Sequence, residues 1–417
     1  MTAEGQPGQR VRDLYLVAVK LIEVAARAGF ILTATYGLPI AQAGRFGLIA
    51  TLVGLFAFAF NFERHIDIQR RSAGEADPVL DRFVVQALKF FAFNWAIMIP
   101  LFLLAVALWT QPGWTILMLG VVVVVGEHLA NQAYQYALIN HRYHSMLVVV
   151  AARNSLLAVV ILYNALFARD GFDLGFVMEV WAIGSVAGAL GLAMLFWRLH
   201  DPAPKIDPFH FGIDILGQHR ASLTHFLIGL IAILILQFDR LAVGGLMSFE
   251  QTGLYFRHTL LVSFAYQAFN IASFNRITPA IFGEAKTEGV PHLRRRVLRE
   301  YLKTLVGVPL LLLLAWGLDR LTEGVWSERF HLSLMLMGLL LLGFMLRAAA
   351  DFHALILNAR HDERHILISQ GIAFAVGATL LALLTWRFGV YGTASATIVT
   401  SALYLLLVSR AVRQSQT

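Results

Sequence analysis

The stretch KLIEVAARAG (residues 20–29) carries three formal charges, Lys20, Glu23 and Arg27, between the apolar flanks LYLVAV (14–19) and FILTA (30–34). The flanks belong to a run long enough to cross a bilayer as a helix, for which about 20 residues suffice. A charge facing hydrocarbon at a helix centre costs roughly 2.5–3.5 kcal/mol, so three would cost roughly 8–10 kcal/mol together. At about 100° per residue, the three side chains project within an arc of about 60°. One face of this helix must therefore meet protein or water. Glu23 is spaced to pair with either cation, at i,i+3 or i,i+4.

Working outward, the 417-residue chain is 58% hydrophobic and only 14% charged, with a mean hydropathy of +0.68. Soluble domains carry about 45–50% apolar and about 25% charged residues, so the composition describes an integral membrane protein. Apolar runs recur at 14–38, 46–62, 83–109, 114–139, 143–166, 174–198, 221–246, 251–282, 303–318, 330–357, 364–386 and 389–409. They predict about twelve transmembrane helices. Membrane barrels instead show short alternating segments, which favours an all-α protein. The first run is too long and too charged for a cleavable signal and lacks a small-residue cleavage site.

Lys and Arg settle the expected orientation. With the N-terminus inside, twenty of the 33 basic residues fall in inside segments, five (Arg45, Arg169, Arg320, Arg329, Arg387) fall outside, and eight lie within the apolar runs. Both termini are therefore expected in the cytoplasm, in a multi-pass membrane protein. The net charge of +7 then reports topology and not nucleic-acid binding, which needs basic residues gathered on a soluble face. The densest cluster, RRRVLREYLK (294–303), reads as a positive-inside anchor, with anionic lipid headgroups as the functional alternative. The chain has no cysteine, which excludes disulfides, thiol catalysis and Cys-based metal sites.

The chain also reads as two copies of six helices. ALINHRYHSMLVVVAARNSL (137–156) parallels ALILNARHDERHILISQGIA (354–373), and GLPIAQAGRF (37–46) parallels GLMSFEQTGLY (245–255). Six helices return the chain to its starting side, so the repeats are parallel. Transporters of this kind hold substrate between their halves. The expected division is a six-helix lobe over 1–199, a cytoplasmic linker over 200–219 and a second lobe over 220–417. No phosphate-binding loop, metal-spaced histidine motif or catalytic carboxylate pair appears, and the outside loops are too short for a polymerase. The chain reads as a transporter, not an enzyme, with no catalytic residue and no metal site.

Eight cations against five acids (Glu23, Glu127, Glu179, Asp239, Asp351) lie in the apolar runs. Such residues face the bundle interior or a water-filled cavity. Lys20, Arg27, Arg153 and Arg257 are the cations expected to line a cavity; arginine's planar fork suits phosphate oxygens. The bland alternative is an internal ion-pair ladder that packs the first helix. GSVAGALG (184–191) is a small-residue stripe for close helix contact.

The charged first helix running into ATYGLPIAQAGRFGLIATL (34–52), LQFDRLAVGGLMSFEQTGLYFRHTLL (236–261) and FGVYGTASATIVTSAL (388–403) together resemble the polysaccharide flippases of the multidrug/oligosaccharidyl-lipid/polysaccharide exporter superfamily. The resemblance implies two six-helix lobes forming a V around a central cavity. It implies transfer of undecaprenyl-diphosphate-linked oligosaccharide or polysaccharide repeat units to the periplasmic leaflet by alternating access, for cell-surface polysaccharide (exopolysaccharide) biosynthesis. On this reading Lys20, Glu23, Arg27, Arg153 and Arg257 bind substrate. A cation site in some relatives points to Asp239, Thr393 and Thr397 for Na+ or H+ coupling, although ILISQGIAFAVGATLLALL (366–384) has no acidic residue. No cofactor is implied. The implied partners are the lipid-linked glycan, membrane lipids and a polysaccharide polymerase or synthase complex, with no nucleic acid. Two alternatives remain open: a cation-coupled antiporter of the multidrug and toxin extrusion type, and a non-transporting membrane component of a polysaccharide synthase.

Overall fold

A computed structural model describes residues 7–64, 77–139, 144–167, 172–199, 215–269, 274–285, 289–321 and 332–414. Among the described residues the chain is helical throughout and no strand occurs. In chain order the helices are α1 (Pro7–Gly37), α2 (Ile40–Asn61), α3 (Asp77–Thr110), α4 (Trp114–Ile139), α5 (His144–Phe167), α6 (Leu174–Leu199), α7 (Ile215–Leu246), α8 (Phe249–Phe269), α9 (Asn275–Glu284), α10 (Val290–Leu321), α11 (Leu334–Ala359) and α12 (Glu363–Gln414).

Eight helices among the described residues are long and apolar enough to cross a membrane: α2 to α7, α11 and α12. Their outward faces are apolar, as at Leu108 (65% exposed), Trp197 (85%) and Leu406 (69%). In water such surface would be a liability; in lipid it is the expected solvent contact. Pro100 lies inside α3 and Pro309 inside α10.

These elements do not match the twelve expected runs one to one. The expected run 251–282 is divided between α8 and α9, with 270–273 outside the described residues. The last two runs form one 52-residue element, α12, broken at Gly389 with φ 59° and ψ −145°. That backbone geometry is open essentially to glycine alone, and it falls between the two runs expected at 364–386 and 389–409.

The chain divides into two compact units, Met1–Pro39 with Ile49–Phe226, and Ile40–Leu48 with Leu227–Thr417. In the first, α1 packs along α5, and α6 along both α4 and α5. Phe90, Phe91, Ala130, Leu147 and Val150 form part of its core. The small-residue stripe of α6 makes the α5 contact: added Cβ atoms would lie 2.5 Å from Leu157 at Gly184, and 2.7 Å from Arg153 Cδ at Gly188. In the second unit, α11 packs extensively on α12 and also on α8 and α10. Ser333 caps α11, its side chain accepting from Leu336 N–H at 3.3 Å, while His258 Nε2 accepts from Ser333 N–H at 2.8 Å.

Within the second unit, the helix starts bearing Gln42-Ala43-Gly44 and Gln251-Thr252-Gly253 meet backbone to backbone. A Cβ on Gly44 would lie 2.1 Å from the Phe249 carbonyl oxygen, and one on Gly253 2.1 Å from that of Ile40. Ile40 stands four residues before Gly44, as Phe249 does before Gly253, so the contact is reciprocal. It joins two stretches that the sequence pairs as repeats.

Candidate functional site

In the first unit, α1, α4, α5 and α6 converge on a charged cluster. Glu23 is buried and bridges to Lys20 on its own helix. It also accepts from Asn154 Nδ2 on α5 at 3.3 Å. One turn along α1, Arg27 NH2 lies 3.2 Å from Glu127 Oε2 on α4. The other Glu127 oxygen takes Arg153 NH2 from α5 and accepts from Trp181 Nε1 on α6 at 2.9 Å. Arg153 NH2 also donates to Ser185 Oγ at 3.1 Å. Phe30 meets the Trp181 ring edge-on, with centroids 5.5 Å apart, and the absence of a side chain at Gly188 leaves room for the Arg153 stem.

This cluster lines a small cavity, with Lys20, Arg27 and Arg153 against Glu23 and Glu127. Among the described residues that line it, three cations face two carboxylates. Access differs among the cations. The Arg153 side chain is 4% exposed and held by Glu127 and Ser185, whereas those of Lys20 and Arg27 are 26% and 36% exposed. Arg153 holds Glu127, and Glu127 in turn holds Arg27.

Both descriptions offered by the sequence, an ion-pair ladder and a cavity wall, therefore apply to the same face of α1. Glu127, Asn154, Trp181 and Ser185 are not identified as site residues from sequence. Glu127 had a signal: a lone carboxylate in VVVVVGEHLA (121–130) needs a buried cationic partner.

Arg257, grouped with these residues by sequence, lies on α8 in the second unit, where it is buried. In that unit Asp239 and Thr397 line a separate small cavity together with Arg347 and Ser401. Asp239 is buried and accepts from Tyr255 O–H at 2.6 Å and from the Arg240 backbone N–H at 2.8 Å. The Arg240 guanidinium donates instead to Ser263 Oγ at 2.9 Å. Thr393 is turned to Thr385, with hydroxyls 2.8 Å apart, and Thr397 donates to the Thr393 carbonyl at 3.1 Å. Arg347 pairs with Asp351 at 3.0 Å and stacks over Tyr404, 4.6 Å from the ring centre; Tyr266 O–H donates to Asp351 at 3.1 Å. Among the described residues, no group of three His, Cys, Asp or Glu side chains is placed to hold a metal ion.

No protein-family model and no curated protein matches the chain. Solved structures do. The chain is similar to the lipid II flippase MurJ in an inward closed conformation, with a TM-score of 0.67 and 12% identity over 96% of this chain and 87% of that one. It is equally similar to an inward-facing multidrug resistance MATE family transporter of the MOP superfamily, with a TM-score of 0.67 and 13% identity over 94% of each chain. A MATE structure in the bent conformation follows at 0.51 and 16% identity, over 97% and 96%. At these identities the likeness shows the fold alone, one shared by a flippase and by multidrug transporters.

Proposed function

We propose that this protein moves undecaprenyl-diphosphate-linked oligosaccharide or polysaccharide repeat units from the cytoplasmic to the periplasmic leaflet by alternating access. One observation supports the reading: among the described residues lining the cavity in the first unit, cations outnumber carboxylates, and Lys20 and Arg27 are its partly exposed cations. A diphosphate brings negative charge into a low-dielectric region, where its cost is offset only by paired cations and hydrogen bonds. Lys20 and Arg27 would hold the phosphates. Glu23 and Glu127 would keep both side chains in place when the cavity is empty, and release them to the stronger anion.

The architecture that goes with this reading has lobes over 1–199 and 220–417, in two parallel six-helix repeats. A linker over 200–219 joins them, of which 200–214 lies outside the described residues. Both termini sit in the cytoplasm. The reciprocal Gly44–Gly253 contact supports the repeat relation, and the excess of Arg and Lys on one set of loops supports the orientation. Asp239, with Thr397 on the same cavity, is the candidate for Na+ or H+ coupling. Arg257 is the candidate substrate-binding residue of the second unit, and a polymerase or synthase would receive the product.

The measurement that tests this is leaflet-resolved quantitation of lipid-linked sugar intermediates in cells lacking the protein. Accumulation on the cytoplasmic side, with surface glycan lost, is the expected result. A Lys20→Ala/Arg27→Ala protein that folds and still restores export would overturn the assignment of the site. A second reading, a cation-coupled multidrug antiporter, gains from Glu23 and Glu127 in the cavity and from the MATE likeness. Unchanged leaflet distribution together with loss of cationic-drug efflux would select it.

A further inference from the structure

The basic stretch 294–303 lies on the N-terminal half of α10. That helix is 32 residues long, about 48 Å at 1.5 Å per residue and well beyond the hydrocarbon thickness of about 30 Å. Its first three turns form an amphipathic extension. Val290, Leu293 and Val297 are buried against Ile277 and Ile281 of α9 and Leu355 and Ile356 of α11, so the extension is held firmly on one side. Two of its cations are committed to carboxylates: Arg296 pairs with Glu284 on α9, and Lys303 with Glu300 at 2.7 Å.

Arg294, Arg295 and Arg299 differ. All three are exposed, and among the described residues no carboxylate pairs with them. Leu298, Leu302, Leu305 and Val306 share their side of the helix, exposed by 52%, 50%, 39% and 70%. At about 100° per residue these seven positions fall in an arc of about 140°. The arginines occupy its upper turns and the apolar side chains extend below, with a drop from Arg294 to Val306 of about 18 Å. One face thus presents fixed positive charge above bare hydrocarbon, which matches the layout of a phospholipid: anionic head above acyl chain. An acidic protein would find the charge but would leave the leucines against water.

We propose that this face of α10 is a binding site for anionic phospholipid of the bilayer, with Arg294, Arg295 and Arg299 on the headgroup phosphate and Leu298 and Leu302 against the chains. The site is independent of the transport cavity and of its cargo. Each basic residue held at an anionic surface contributes about a fivefold gain in binding, and the fork of arginine adds hydrogen bonds that a point charge lacks.

The test is native mass spectrometry of the purified full chain with phosphatidylglycerol and, separately, phosphatidylethanolamine. Wild type is expected to retain phosphatidylglycerol preferentially. Arg294→Gln/Arg295→Gln/Arg299→Gln is expected to lose about tenfold or more of that retention. The control Arg360→Gln/Arg364→Gln/Arg410→Gln, which removes one exposed arginine just after α11 and two on α12, should keep it. Circular dichroism and a monodisperse elution profile establish folding. Should the triple glutamine variant not fold, Arg294→Lys/Arg295→Lys/Arg299→Lys gives a graded readout: retained charge with a partial loss of preference. Equal retention of the two lipids by wild type, or loss of preference in the control to the same degree, would overturn the proposal. Absence of lipid preference with arginine-dependent capture of polyglutamate would assign the face to an acidic protein partner instead.

Discussion

Each unit buries acids and cations among apolar helices, and the two handle them differently. In the first, Glu127 is surrounded by Arg27, Arg153 and Trp181, and the cluster opens on a cavity with two cations still partly accessible. In the second, Asp239 and Asp351 each accept from a tyrosine, and Arg347 lies between Asp351 and the Tyr404 ring. An arginine–carboxylate network concentrates full charges and can exchange a partner for another anion. A tyrosine–carboxylate pair satisfies the acid with a neutral donor and leaves no mobile cation behind. On this difference the first unit holds Glu127 with two arginines and an indole, and the second holds Asp239 with a tyrosine hydroxyl and a backbone N–H.

The largest break should come at the centre of the first network. Glu127→Gln would leave Arg153, whose side chain is 4% exposed, as a buried charge without a counter-charge. Removing one partner of a buried pair costs about 3–5 kcal/mol, so the purified variant should show a markedly lower melting temperature. Glu127→Gln/Arg153→Met removes both charges and should recover most of that loss, since paired buried charges are often replaceable by apolar groups. The matching change in the second unit is Arg347→Met. There the Asp351 side chain is 23% exposed and keeps Tyr266, so a smaller loss, about 1–3 kcal/mol, is expected. Equal losses would erase the distinction between the networks.

Next in size are the glycine contacts. At Gly44 the new Cβ of alanine would sit 2.1 Å from a backbone oxygen, which can move only with its helix; at Gly188 it would sit 2.7 Å from the flexible stem of Arg153. Overpacking costs about 1–3 kcal/mol. Gly44→Ala should fall at the upper end, with thermal unfolding as the measure, and Gly188→Ala at the lower. Gly188→Ala should also disturb the Arg153–Glu127 pair and so impair transport more than its stability loss suggests.

Lys20→Gln/Arg27→Gln should do the reverse. With both side chains partly exposed, stability should fall by less than about 1 kcal/mol. Transport should fall by about tenfold or more, because hydrogen bonds between charged groups contribute about 1.5–3 kcal/mol each. A variant that transports normally would place both residues in the packing role.

Much of this fold was legible because hydropathy reports each residue's own preference for lipid. The runs expected at 114–139, 143–166 and 174–198 are the helices Trp114–Ile139, His144–Phe167 and Leu174–Leu199 within a residue. The method fails where a helix is not uniformly apolar: α10 begins at Val290 and not 303, since its first turns are buried on one side only. The site was legible in part. The shared face of Lys20, Glu23 and Arg27 follows from helix geometry, but their partners on α4 and α5 stand more than 100 residues along the chain and on other helices. Helical spacing carries no information about which helices meet. Like Arg27, Arg257 is a cation within an apolar run, but it belongs to the other unit.

The sharpest test removes one neutral donor from each acid. Trp181→Phe deletes the indole N–H that reaches Glu127 at 2.9 Å, and Tyr255→Phe deletes the hydroxyl that reaches Asp239 at 2.6 Å. Glu127 keeps Arg27 and Arg153, so Trp181→Phe should cost no more than about 1 kcal/mol, chiefly through lost ring area and the edge contact with Phe30. Asp239 keeps the Arg240 backbone N–H, a weaker compensation, and Tyr255→Phe should cost about 1.5–3 kcal/mol, the value of a hydrogen bond to a charged group. If Asp239 binds a cation in the transport cycle, Tyr255→Phe should also make thermal stability more sensitive to Na+ than in wild type, because a ligand stabilises the form it binds and the freed carboxylate is the better ligand. Trp181→Phe should show no such sensitivity. A Na+ response in the tryptophan variant, or an equal loss of stability in the two, would mean that the acids of the two units are held in the same way.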